Sequence, residues 1–352
     1  MTIVDNLDSI RIRLFRRLMR RSAAALLLIL LAAGACAGAE PRYRVSAHIP
    51  ISDARWDYGA VDPEAHRLYL GRIGGVLALD LSSGTVTPVL VPSALVHGVA
   101  PLGGGLVMST NGEANSVSLF EGISGRELAT IPAGMEPDAI VREPHTGLVI
   151  TTNEGSHDLS VIDPIARRLV ATIGLPGTPE YAAAGADGLL YDNITDRNEV
   201  AVIDVAARRV LRTYPLRRCQ GPTGLAYDAP DDLLLAVCRN GAAVFLRGRD
   251  GLEVASLNVG AGPDAAMFDV ARHLAFVPAG GPGSLTVFTV HGAGVSKVQT
   301  LKTRPGSRTA ILDPATGRVY IPAAQFRAAT DPHARPSVVP GTSEILVIEP
   351  ER

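Results

Sequence analysis

The sequence predicts an all-β fold, a seven-bladed β-propeller, on three observations. Short runs rich in Val, Ile and Thr alternate with turns of Gly, Pro, Asn and Asp over most of the chain. The runs recur in groups of four at a period of roughly 41 residues, within the range of propeller blades. The two ends of the patterned region supply complementary parts of one group, so the array is expected to close on itself.

The clearest group lies in residues 138–174. Ala139-Ile140-Val141 is followed by the turn Glu143-Pro144-His145-Thr146-Gly147 and then by Leu148-Val149-Ile150-Thr151-Thr152. After a short polar segment come Leu159-Ser160-Val161-Ile162-Asp163, a turn at Pro164, and Leu169-Val170-Ala171-Thr172-Ile173. None of these runs has the length or the 3.6-residue spacing of an amphipathic helix. Equivalent third strands are expected at 76–80, 116–120, 159–163, 200–204, 243–247, 285–289 and 345–349, hence seven blades. A single four-stranded sheet cannot cover both its faces. Radial stacking does so and leaves only short edges.

Taken in order, residues 1–39 read as a secretory signal peptide. Arg11 to Arg21 supply a basic region, 23–33 an apolar core, and Ala37-Gly38-Ala39 a cleavage site before residue 40. The apolar core is short for a membrane span. Cys36, after Ala33-Gly34-Ala35, is a candidate for lipid attachment. The leader carries six arginines against Asp5 and Asp8, a net of +4, so a whole-chain charge of −2 becomes −6 for residues 40–352. An acidic chain without a Lys/Arg stripe speaks against nucleic-acid binding.

Tyr43, Val45, Ala47 and Ile49 alternate with mostly polar residues. The last blade has room for only three strands before the C-terminus, so 42–51 is expected to be its outer strand; the alternative is an unstructured leader. Cys219 and Cys238 flank the first hairpin of the fifth blade. In an exported protein an even pair favours a disulfide over two buried thiols. With Pro230-Asp231 at the turn, Thr223 would face Cys238. Residues 327–342 show no strand pattern and read as a surface insertion in the last blade.

The innermost strand of each blade lines the channel, and the loop entering it opens on one face. Alignment of the blades puts Trp56, Asp57, His97, Asp138, Glu180, Tyr181, Thr223, Asp264 and Arg308 there. Most are polar or ionisable where the pattern otherwise wants small apolar residues. Together they would make a concave, polar mouth, a usual place for a ligand. Crowded carboxylates also favour a cation. Asp57, His97, Asp138, Glu180 and Asp264 are therefore the candidate ligands of a divalent metal ion, the one cofactor suggested. Each residue also has a plain structural use: an aspartate caps a turn, Trp56 plugs a core, and Arg308 neutralises the acids. Asp80, Asp163 and Asp204, and the pair His157-Asp158, read as turn residues. There is no G-x-S-x-G elbow, H-E-x-x-H, P-loop or C-x-x-C-H motif.

Val149-Ile150-Thr151-Thr152-Asn153 and Val107-Met108-Ser109-Thr110-Asn111 resemble the namesake strand of the YVTN-repeat, YncE-like propellers of exported bacterial proteins. Further matching segments are Trp56-Asp57-Tyr58, His97-Gly98-Val99-Ala100, Pro137-Asp138-Ala139, Pro222-Thr223-Gly224 and Tyr320-Ile321-Pro322-Ala323-Ala324. The resemblance covers residues 42–350 and implies a seven-bladed ring with a channel mouth. It brings no reaction with it. A single-stranded-DNA role belongs to one branch, and the acidic balance here weakens that transfer. Blades one and six depart from the pattern, with Gly71-Arg72 and Pro278-Ala279 in place of Thr-Asn. The sequence thus points to a periplasmic or secreted, monomeric binding or scaffolding protein with a small molecule, metal ion or peptide at the mouth. A metal-assisted hydrolase of the lactonase type, or a protein-interaction platform, is the alternative.

Overall fold

The computed structural model describes residues 41–185, 188–328 and 336–351; the expected signal peptide, with Cys36, lies outside them. The described chain is all-β apart from one 3-10 turn at Val270–Arg272. Among these residues no helix is long and apolar enough to cross a membrane.

Seven antiparallel sheets follow one another along the chain, each built from strands consecutive in sequence except the last. Their inner strands are Trp56–Asp62, Val99–Gly103, Pro137–Arg142, Pro179–Ala184, Pro222–Asp228, Met267–Asp269 and Ile311–Asp313. Each inner strand touches the next, and the seventh touches the first, so the ring is closed. In blade 1 the run Arg67–Asp80 pairs with the inner strand through its first half and with Val86–Leu95 through its second. The Leu81 amide donates to the His66 carbonyl at 2.8 Å. A straight strand would hold those residues roughly 50 Å apart. The run therefore doubles back at Gly74-Gly75, whose φ angles of 91° and 133° suit only glycine. Blade 1 thereby has four strands like the others.

The closure expected from the sequence is present. Tyr43–Pro50 pairs antiparallel with Glu344–Pro350, with Ile49 opposite Ile345 and His48 opposite Leu346. Joining the two ends in one sheet removes two exposed edges. The core lies between blades rather than inside them. Leu68, Leu70, Leu77 and Leu79 of blade 1 pack on Ile311, Tyr320, Ile345 and Val347 of blade 7. Tyr191, Val200 and Val202 of blade 4 pack on Leu225, Leu234 and Val244 of blade 5. Aspartates ending third strands serve as turn residues: Asp80 Oδ1 accepts from the Ser82 and Ser83 amides, Asp163 Oδ1 from Ile165 and Ala166. His157, with φ 54°, likewise sits in a turn.

Three details differ from the sequence expectation. The insertion is not strand-free: Phe326–Arg327 and Ser337–Val338 pair as a two-residue ribbon, too short to leave an alternating pattern. Pro222, not Thr223, faces Cys238, because a bulge between Pro222 and Leu225 shifts the register by one. The seventh inner strand spans Ile311–Asp313, where the sequence pattern suggests residues 309–312. Cys219 and Cys238 form the disulfide, with Cα atoms 5.4 Å apart.

Candidate functional site

The mouth residues stand where the inner strands break their ladders. In blades 1, 3, 4 and 5 the register shifts near the start of the inner strand, between Trp56 and Gly59, at Pro137–Ile140, between Pro179 and Ala182, and between Pro222 and Leu225. In each case two inner residues face one residue of the second strand. Such a bulge kinks the strand and re-aims a side chain. The pairs released are Asp57-Tyr58, Asp138-Ala139, Glu180-Tyr181 and Thr223-Gly224.

In blades 3 and 4 the residue opposite the bulge reaches the next blade, and Thr110 does so from the equivalent position of blade 2, where the start of the ladder is unbroken. Thr110 Oγ1 donates to the Asp138 carbonyl at 3.0 Å, Thr152 Oγ1 to the Glu180 carbonyl at 2.9 Å, and Asn193 Nδ2 to the Thr223 carbonyl at 2.6 Å. In blade 1 the equivalent Gly71 leaves no space: a Cβ there would lie 2.5 Å from the His97 carbonyl. Backbone bonds add to this. The Tyr58 amide donates to His97 at 2.9 Å, and the Asp264 amide to Arg308 at 3.0 Å. The mouth residues of neighbouring blades are thus fixed to one another through the main chain.

Three of the predicted residues converge. His97 Nδ1 is 2.7 Å from Asp57 Oδ2 and 3.3 Å from Asp138 Oδ1. One ligand atom from each of Asp57, His97 and Asp138 falls within 4.8 Å of the other two. Two arginines balance the remaining acids: Arg308 Nε lies 3.1 Å from Asp264, with Nη2 4.0 Å from Asp57, and Arg239 Nη2 lies 3.2 Å from Glu180. The guanidinium groups stand toward solvent, the Arg308 side chain 49% exposed, with the acids below them.

Burial sets the electrostatics. Loss of hydration pushes Asp264 up to about 7, with Arg308 opposing and Asp57 adding to the rise. The same cause pushes Glu180 up to about 8, with Asp264 adding and Arg239 opposing. Asp138 is raised well above the carboxylate range by burial, then by the charges of Asp57 and Glu180. Tyr58 of blade 1 and Tyr181 of blade 4 meet edge-to-face at 4.8 Å. Both phenols are held neutral by burial. They come from blades 1 and 4 and so meet across the ring.

A cavity of about 540 Å³ opens between blades 7, 1, 2 and 3. Trp56, Ile73, Leu95, Phe326 and Pro336 give its lining an apolar part, and Asp57, His97, Glu113, Glu136 and Glu154, with Arg55 and Arg308, give it a charged part. The Trp56 and Phe326 rings are 5.9 Å apart. Trp56 also packs on the blade 1–7 core, so its structural and lining roles coexist. Thr223 does not line the mouth. It is 1% exposed, and its hydroxyl donates to the carbonyls of Pro263 and Val237.

Sequence reasoning missed several lining residues. Tyr58 and Arg239 stood in the aligned positions but had no reason to be chosen over their neighbours. Glu113 and Glu154 follow the Thr-Asn strand ends by one or two residues, a signal a blade alignment carries. Phe326 belongs to the insertion and has no counterpart in other blades. Asp192 is fully buried beside Glu180, where blades 2 and 3 carry Ser109 and Thr151. No described residue gives either of its carboxylate oxygens a well-formed hydrogen bond. Burial raises its pKa well above the usual range, and the nearby Glu180 amide offsets only part of that.

No family model matches the chain, and no curated protein matches it. Solved structures do. Virginiamycin B lyase from Staphylococcus aureus aligns with TM-score 0.68 at 13% identity, over 88% of this chain and 99% of that one. Hydrazine synthase of Kuenenia stuttgartiensis aligns with TM-score 0.66 at 16% identity, over 82% and 96%. The WD40 repeats of RRP9 align with TM-score 0.74 at 10% identity, over 89% and 100%. At such identities the likeness is one of fold, not of chemistry. The chain is a seven-bladed β-propeller whose mouth must be read from its own side chains.

Proposed function

We propose that the chain is an exported propeller of the YVTN-repeat, YncE-like kind, and that its axial mouth binds a small organic molecule with an apolar body and a cationic end. The leader pattern and the Cys219–Cys238 disulfide support export. The inter-blade bonds of Thr110 and Thr152, from the two strands that resemble the YVTN repeat, support the family.

One observation carries the ligand class. The cavity combines aromatic and aliphatic lining with Glu113, Glu136 and Glu154, and no ion pair engages these three among the described residues. Of the two arginines in the lining, Arg308 is engaged by Asp264 and Asp57, and Arg55 is not free either. An apolar group gains from the apolar lining and an ammonium from the glutamates, with aromatic faces nearby. Trp56 is the only tryptophan, so intrinsic fluorescence reports this cavity alone. Titration with 2-phenylethylamine should shift Trp56 emission saturably, whereas 3-phenylpropionate, similar in shape but anionic, should not. Equal responses to both, or none to either, would overturn the ligand class.

A second reading, a metal-assisted hydrolase of the lactonase type, is favoured by the juxtaposition of Asp57, His97 and Asp138. An ion there would polarise a substrate carbonyl or lower the pKa of a bound water. Lactone turnover by protein supplemented with zinc or manganese tests it; no turnover with either ion counts against it.

A further inference from the structure

We infer that Asp57, His97 and Asp138 form a binding site for one first-row divalent ion of the zinc or manganese type, set in the side of the mouth. This rests on the mouth being a functional site. The donor atoms are already spaced for coordination. Neighbouring ligands at about 2.1 Å from an ion are about 3.4 Å apart in the tetrahedral geometry of zinc and about 3 Å apart in an octahedral one. His97 Nδ1 lies 3.3 Å from Asp138 Oδ1, within that range, and 2.7 Å from Asp57 Oδ2, a hydrogen bond that an ion would replace with a separation wider by a few tenths of an ångström.

The three ligands are also held on fixed backbone. The His97 carbonyl accepts from the Tyr58 amide, beside Asp57. The Asp138 carbonyl accepts from Thr110. The far edge of the imidazole packs against Gly112, where a Cβ would lie 2.9 Å from Cδ2 and 3.0 Å from Nε2. That contact keeps Nδ1 turned to the two carboxylates. Support of this kind separates a site from acids that merely share a surface. The triad is open on one side, since Asp57 and His97 line the cavity, so further coordination positions face the proposed ligand.

An imidazole and two carboxylates suit zinc or manganese. Calcium asks for six to eight oxygens, which three residues do not supply. The competing account is a protonated His97 bridging two aspartates, with no ion at all.

The test uses the full chain, treated with chelator, dialysed, and titrated calorimetrically with Zn²⁺, Mn²⁺ and Ca²⁺ at neutral pH. One Zn²⁺ per chain is expected, with Ca²⁺ the weakest of the three. Asp138→Asn and His97→Gln should each weaken Zn²⁺ by about 100-fold or more, beyond the loss of an outer-shell partner. Asp163→Asn, at a remote turn, should leave it within about twofold. No stoichiometric Zn²⁺ uptake by the wild type, preference for Ca²⁺, or unchanged affinity in Asp138→Asn would overturn the site. If those variants do not fold, Co²⁺ loaded into the wild type decides. Visible ligand-field bands with an imidazole donor support the triad, and their absence contradicts it. The Trp56 response to 2-phenylethylamine, measured in chelator, separates the two claims. A retained response without metal uptake overturns only the metal site, and loss of both overturns the mouth.

Discussion

Thr152 of blade 3 donates a 2.9 Å hydrogen bond to the carbonyl of Glu180 in blade 4. The same hydroxyl accepts from the Ala139 amide, at the bulge of its own blade. One side chain therefore ties two successive mouth positions together. Thr110 repeats the arrangement, accepting from Gly98 and donating to Asp138. The repeat residue that marks the strand in sequence is the part that sets the spacing of the mouth.

Thr152→Val keeps the shape and removes both bonds. It leaves the Ala139 amide and the Glu180 carbonyl without that partner in a buried place. A loss of about 1–3 kcal/mol is expected, read from urea unfolding. A change of less than a few tenths would show that the hydroxyl does not clamp the blades.

Acidity should stabilise the metal-free protein. Glu180, facing Asp264, Arg239, Glu154 and Asp57, is raised to about 8 from 4.5, and Asp192 beside it is raised as well. A carboxyl raised on folding holds its proton more tightly in the folded state. Its contribution is therefore full below the unfolded value and is lost as pH rises toward the folded one. In chelator, the melting temperature should fall between about pH 5 and 8 and the fall should shrink in Glu180→Gln. Asp192→Asn should be more stable than wild type at pH 8, by roughly 1–2 kcal/mol, and not at pH 4. A melting temperature that rises steadily over this range would contradict the assignment.

The disulfide supports the mouth as well as the blade. Cys238 ends the second strand of blade 5, and the next residue, Arg239, reaches Glu180 at 3.2 Å. The Arg239 amide donates to Gly221, two residues beyond Cys219. Replacing both cysteines by serine should cost about 3 kcal/mol for a loop of this size. Equal unfolding midpoints of wild type with and without reductant, after thiol counting confirms cleavage, would remove the claim.

Gly112→Ala tests the support of the triad. Its Cβ would meet the His97 ring at 2.9 Å, on a blade edge that cannot retreat far. Zn²⁺ affinity should fall by about 10-fold or more while the melting temperature changes little. Unchanged affinity would show that the ring is not held from that side.

Much of the ring was legible in sequence because a propeller repeats its instructions. The strand runs, the turn aspartates and the closing strand of Tyr43–Pro50 each follow from alternation and turn chemistry. So did the gathering of Asp57, His97 and Asp138, since equivalent positions of a ring share one axis. The bulges were not legible. Thr223 stands at the same bulge position as Asp138 and Glu180 but is buried, its hydroxyl donating to the Pro263 carbonyl, a bond that a blade alignment does not reveal. Phe326 escaped because the insertion has no second copy to align with, and Asp192 because burial by a neighbouring blade leaves no mark on its own strand.

The central claim is that side chains from successive blades form one ligand site at the axis. A high-resolution crystal structure of protein purified without chelator and soaked with 2-phenylethylamine tests it most directly. The account predicts an anomalous metal peak among Asp57, His97 and Asp138, and amine density in the cavity lined by Trp56, Phe326, Glu113, Glu136 and Glu154. An empty mouth, with metal and amine bound elsewhere, would contradict it.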